Sequence, residues 1–143
     1  MVTKLRSLLL GAIATVLALI AGNVFDQVQW SLVGTTAAAA VVMTSVSAAR
    51  APIRIPVSLL AVVGGVIGAV LWQGGDLQDV VPGLASGPRR LITSEWPSPS
   101  DPVIIGTLAL LLLLTLFTSN EIAHRSGVHI APLAPPTATA VLL

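Results

Sequence analysis

The side chains in this sequence with the strongest claim to chemistry are Glu121, His124 and His129. Glu121 and His124 stand three apart, so on a helix they share a face. Glu-x-x-His is a recurrent ligand unit of carboxylate metal sites in helix bundles. Those sites use the unit twice, and here it occurs once. Glu121 also precedes Arg125 by four residues, the favourable order for an exposed helical ion pair of about 0.2–0.5 kcal/mol. A solvated helix end is the expectation, not a metal centre. The second candidate is the pair Arg89–Arg90, inside SGPRRLITSEWPSPSDP at 86–102. Two adjacent guanidinium groups suit an anionic ligand, but also a helix whose arginines reach lipid headgroups, which is the reading adopted. There is no Ser/His/Asp set, phosphate loop or repeat. The absence of cysteine removes disulfides, thiolate metal sites and a Cys nucleophile together. The sequence therefore nominates no catalytic, cofactor-binding or metal-ligating residue, and neither an enzyme nor a cofactor is expected.

The elements around these residues are set by composition. The chain is 55% hydrophobic and 9% charged, with a mean hydropathy of +0.94. Soluble domains are about a quarter charged, so this sequence lacks the means to cover itself for water. A net charge of +1 gives no broad basic face for nucleic acid. Five runs contain no Asp, Glu, Lys or Arg: 7–25, 27–49, 55–75, 102–120 and 126–143. A bilayer core of about 30 Å takes roughly 20 apolar residues as helix, and helix is required because lipid offers the backbone no partner. The expected fold is an all-α polytopic transmembrane bundle in one membrane domain. Its spans fall at about 7–25, 28–49, 55–74 and 102–120, with a fifth, proline-containing segment at 128–143 and a loop at about 75–101. The first run exceeds the length of a signal-peptide apolar region and lacks a clean cleavage site, so it reads as a retained span.

With the N-terminus in the cytoplasm, Lys4, Arg6, Arg50, Arg54 and Arg125 are inside and only Arg89 and Arg90 outside, which obeys the positive-inside rule. Trp30, Trp72 and Trp96 then all fall at the outer interface, where an apolar ring with one N–H is favoured. The expected location is a bacterial plasma membrane. In the outer loop, Pro82 and Gly83 are expected to break any single long helix. A shorter helix is expected instead, capped by Ser86 with Pro88 in its first turn. Trp96, Pro97, Pro99 and Pro102 should make a stiff extended lead into the next span.

Gly64 and Gly68 form a G-x-x-x-G, and Ala61, Gly65 and Ala69 a second small-residue row, both suited to close helix packing in the third span. The lack of a mid-span acid or base argues against a proton- or ion-coupled transporter. The last run, opened by His129, Pro132, Pro135 and Pro136, rises about 27 Å as helix, which reads as a span cut short.

The order of features resembles the N-terminal membrane region of bacterial, especially actinobacterial, transglutaminase-like membrane proteins of the TgpA type. The resemblance rests on Gly87, Pro88, Arg89, Arg90, Leu91, Ile92, Thr93 and Pro97, with Ser94, Glu95 and Trp96 departing from the pattern. It implies a membrane-anchoring region ahead of further spans and an extracytoplasmic domain with a Cys/His/Asp triad. None of that triad can be placed on these residues. The expected partners are the bilayer and other membrane helices or a C-terminal part. The alternative function is a small oligomeric transporter or pore.

Overall fold

In a computed structural model of the protein, residues 2–25, 28–93, 101–125 and 131–142 are described. Their elements are α1 (Val2–Ala21), α2 (Trp30–Ser45), α3 (Ala51–Trp72), α4 (Leu77–Thr93), α5 (Pro102–Arg125) and α6 (Ala134–Leu142), with short 3-10 turns at Gly22–Phe25 and Ala131–Leu133. The fold is all-α, as the uncharged runs required. Helices α1, α3 and α5 are long and apolar enough to cross a membrane.

The helix in the second run is shorter than the span expected there. Helix α2 has 16 residues, about 24 Å at 1.5 Å per residue. It stops because the polar residues that follow turn on their own backbone. Ser45 Oγ donates to the Val42 carbonyl and Ser47 Oγ to the Thr44 carbonyl, the local competition by which serine disfavours helix continuation. Helix α3 starts with Pro52 in its first turn, where a missing N–H costs nothing. It ends in a Schellman turn: Gly74 N–H bonds the Leu71 carbonyl and Gly75 N–H the Val70 carbonyl. Gly74 takes φ = 78°, the left-handed conformation that favours glycine at this position.

Helix α5 is the centre of the bundle and touches α1, α2, α3, α4 and α6. Ile105, Leu108, Leu112 and Leu113 are fully buried, as expected for a helix apolar on every side. Around it, α1, α2 and α3 run alternately up and down. At one end Ser7 meets Asn120 and Arg54 meets Glu121; at the other Gln29 meets Gln73. The first of these ends carries Lys4, Arg6, Arg50, Arg54 and Arg125, and is called the basic end below. The opposite end carries Trp30 and Trp72, both well exposed. Trp96 lies outside the described residues. Val41, Leu60, Val63, Ile53, Leu8 and Leu9 point outward. In water that surface would aggregate; for a bundle in lipid it is the solvent face.

Small residues set the closest approaches, but not all at the expected sites. Gly64 faces open space. Gly65 packs on Leu113 and Gly68 on Thr35, and Ala69 is fully buried. Of the first row of α3 only Gly68 makes a contact, whereas Gly65 and Ala69 of the second row are both packed into the bundle. On α1, a Cβ at Gly11 would come 2.9 Å from the Ala40 Cβ, so α1 and α2 touch nearly backbone to backbone.

The loop reading needs a larger correction. Helix α4 runs unbroken through Pro82 and Gly83, and Ser86 lies inside it, its Oγ donating to the Gly83 carbonyl. The carbonyl that Pro82 leaves without a helical partner belongs to Gln78, which is exposed, so solvent can satisfy it. Gly83 is tolerated because it faces α5: a Cβ there would press on Val103 at 3.2 Å, and a Cβ at Gly87 would overlap Thr107 Oγ1. Gly83 and Gly87 are thus the G-x-x-x-G pair that brings two backbones together.

Pro102 is likewise no part of an extended strut. It opens α5 behind Asp101, whose Oδ1 accepts from Val103 N–H at 2.8 Å, a side-chain N-cap followed by proline at the first helical position. The proposed strut residues Trp96, Pro97 and Pro99 lie outside the described residues. Asp101→Ala is expected to lower stability by about 1 kcal/mol, read as a lower thermal unfolding midpoint in detergent.

The last run forms no full span among the described residues. Its α6 has nine residues, about 13 Å of rise, with Pro135 and Pro136 in the first turn, where their missing N–H groups are harmless. It packs beside α5, and Thr139 and Thr115 share a hydrogen bond of 2.7 Å. Thr139→Val should cost about 0.6 kcal/mol, the usual size of such a bond between membrane helices, measured by unfolding in micelles.

Candidate functional site

Two polar clusters stand at opposite ends of the bundle. At the basic end, Pro52 starts α3 early enough that Arg54 falls inside its first turn, facing α5. Arg54 Nε donates to Glu121 Oε1 at 2.9 Å and Nη2 to Oε2 at 3.0 Å. This is the fork-on-fork geometry that makes arginine–carboxylate pairs strong. The two side chains are only 10% and 12% exposed. Arg125, 73% exposed, lies 3.7 Å from Glu121 Oε2. The i,i+4 contact read from the sequence is present but secondary; the main partner of Glu121 is 67 residues away.

His124 does not face the same point. Its Nδ1 sits 2.7 Å from the Asn120 carbonyl and its Nε2 2.8 Å from the Ser47 carbonyl. Both partners are pure acceptors, so the ring makes both bonds at once only when each nitrogen carries a proton. Ser7 Oγ donates to Asn120 Oδ1 at 2.8 Å, which ties α1 into the same cluster. The Glu-x-x-His spacing therefore gives no joint ligand set: the carboxylate is held by arginine and the imidazole by two backbone carbonyls. Among the described residues no three His, Cys, Asp or Glu side chains gather as a metal site would need. His129 lies outside them. Near this lock, Ser58 Oγ, Ser119 Oγ and Asn120 Nδ2 are buried without a protein partner.

The lock replaces the solvated helix end expected for Glu121 and the loop position expected for Arg54. A signal for it was present. Ala51–Pro52 marks a helix start before Arg54, and antiparallel neighbours bring the start of α3 level with the end of α5.

At the Trp end, Gln73 Nε2 donates to Gln29 Oε1 at 3.1 Å and to Ser31 Oγ at 3.0 Å, joining α2 to the end of α3. The Trp72 ring covers Gly34. Arg90 Nη1 bonds Asp101 Oδ2 at 3.1 Å, while Arg89 is exposed. Between α4 and the ends of α3 and α5 lies a cavity of about 430 Å³, with Asp76, Ser86, Arg90 and Asp101 in its wall. A second hollow of about 310 Å³, almost wholly apolar, adjoins it beneath α4.

These features define an all-α bundle with three helices able to cross a membrane, tied at each end by side-chain hydrogen bonds. No protein-family model, curated protein or solved structure matches the chain.

Proposed function

We propose that this chain is an integral membrane module whose work is anchoring and assembly, not catalysis. It sits in a bacterial plasma membrane with its basic end in the cytoplasm. The observation that carries this reading is the fate of the charged groups within the bundle. Arg54 and Glu121 hold each other at 2.9 and 3.0 Å, while the outward surface is apolar along α1, α2 and α3. Ionisable groups inside a membrane bundle usually mark a transport path. Here both lie about one turn from a helix end and neutralise each other, which suits a clamp.

The five-to-two division of basic residues between the ends supports the orientation. The likeness of Gly87–Thr93 to the loop of TgpA-type transglutaminase-like membrane proteins supports placing the module at the front of such a protein. Its partners are then lipid and further membrane helices.

Reporter fusions beside Arg50 and beside Arg89 test the orientation. The first is expected to report cytoplasm and the second the outside; the reverse pattern overturns it. The buried hydroxyls of Thr36, Ser58 and Ser119, which lack protein partners, favour a second reading as a small oligomeric transporter or pore. Purified protein in liposomes is expected to show no solute-selective flux, and a selective flux would replace the anchoring reading.

A further inference from the structure

The cavity and the apolar groove at the Trp end share two walls, Val80 and Leu84 of α4. They are two halves of one elongated site, polar at one end and apolar at the other. The apolar half is bounded by Val62 and Val66 of α3, Leu77 and Val81 of α4, and Leu110 of α5. Leu110 lies eight residues past Pro102, about 12 Å along α5, so the groove runs from the helix ends well into the depth of the bundle. Among the described residues, the polar half holds one cation, Arg90, and two carboxylates, Asp76 and Asp101. Each half exceeds the roughly 300 Å³ at which small-molecule sites begin.

Among the described residues these charges do not all cancel. Asp101 uses one oxygen to cap α5 and the other for Arg90. Asp76 makes no ion pair among the described residues. The Arg90 side chain is 55% exposed and lines the cavity, so it is accessible to a ligand. A ligand matching this wall carries an anion for Arg90, an ammonium for Asp76, and a chain for the groove.

We propose that this site binds one amine-bearing zwitterionic phospholipid. Its phosphate bonds Arg90, its primary ammonium bonds Asp76, and one acyl chain lies between α3, α4 and α5. The primary ammonium is required because it donates hydrogen bonds to a carboxylate, which a trimethylated one cannot. An anionic glycerol headgroup would meet Asp76 and Asp101 with like charge. Nothing in this site depends on whether the module anchors another domain.

The test is native mass spectrometry of the full chain from micelles doped with phosphatidylethanolamine, phosphatidylcholine or phosphatidylglycerol. One phosphatidylethanolamine per chain is expected to survive activation, with the other two retained about tenfold less. Arg90→Gln and Asp76→Asn should each weaken its retention by about tenfold, the size of one charge-assisted contact. Both side chains are on the surface, and asparagine keeps the short acceptor of aspartate. Unchanged elution and thermal midpoint will show that the variants fold. Soluble glycerophosphoethanolamine, which has no chains, should not bind. Equal retention of all three lipids, insensitivity to both substitutions, or full binding of the chainless headgroup overturns the proposal.

Discussion

Glu121→Ala is expected to cost about 3–5 kcal/mol of unfolding free energy, the range for removing one partner of a buried ion pair. Arg54 would keep its charge at 10% exposure, with no other acid paired to it among the described residues and its Nε and Nη2 hydrogens unpaired. Arg54→Ala should cost less, near the low end of that range. Glu121 then retains Arg125 at 3.7 Å, and that mobile side chain can close the gap. The asymmetry between the two single variants is the useful signal, because a merely exposed i,i+4 contact would be worth only about 0.2–0.5 kcal/mol. Reversible unfolding in mixed micelles measures both. A loss below 1 kcal/mol for Glu121→Ala would remove the lock from the account.

The double variant Arg54→Met with Glu121→Leu isolates what the pair contributes. Two apolar side chains of similar volume avoid the desolvation of two charges, and such replacements are often neutral or stabilising. Stability within about 1 kcal/mol of the parent is expected. The pair would then be a device for register, fixing the start of α3 against the end of α5.

The sequence told most where one solvent dictates the answer. Runs such as 55–75 and 102–120 had to be helical, since a backbone in lipid can satisfy itself only that way; α3 takes up 55–72 of the first and α5 the whole of the second. Their ends were harder to read. Arg54 stands one residue outside its run and Glu121 one residue beyond the next, so counting charges put both in water. What buries them is a contact between segments 67 residues apart, which no local pattern contains. The length of α2 departs from its run for the opposite reason: 46–49 is uncharged, but its one serine, Ser47, bonds the backbone of the preceding turn. In α4 a local rule was overridden by packing. Pro82 and Gly83 disfavour a helix interior, yet the helix persists because it is docked on α5. The lipid site depends on that docking and had no trace in the spacing of its residues beyond Arg89–Arg90.

The docking itself gives the second large effect. Gly87→Leu should separate α4 from α5, because even the first atom of the new side chain has no room. A Cβ at Gly87 would overlap Thr107 Oγ1, with Thr107 Cβ at 3.0 Å and Cγ2 at 3.4 Å. Thr107 cannot turn aside freely, since its hydroxyl already bonds the Val103 carbonyl at 2.9 Å, and Val103 is the residue on which Gly83 rests. Overpacking of this kind costs about 1–3 kcal/mol, and the cheapest escape is for α4 to lift as a unit. The loss should therefore fall on α4 alone, leaving the lock of Arg54 and Glu121 intact at the other end. Hydrogen exchange distinguishes this from general destabilisation: amides of Leu77–Thr93 should lose protection while those of Ile104–Leu116 keep theirs. Thr107→Ala, introduced with Gly87→Ala, restores space for a single methyl group and should return most of the protection. If Gly87→Leu leaves α4 protected, the close approach of Gly83 and Gly87 to α5 is not what holds this helix, and the cavity beneath it needs another cause.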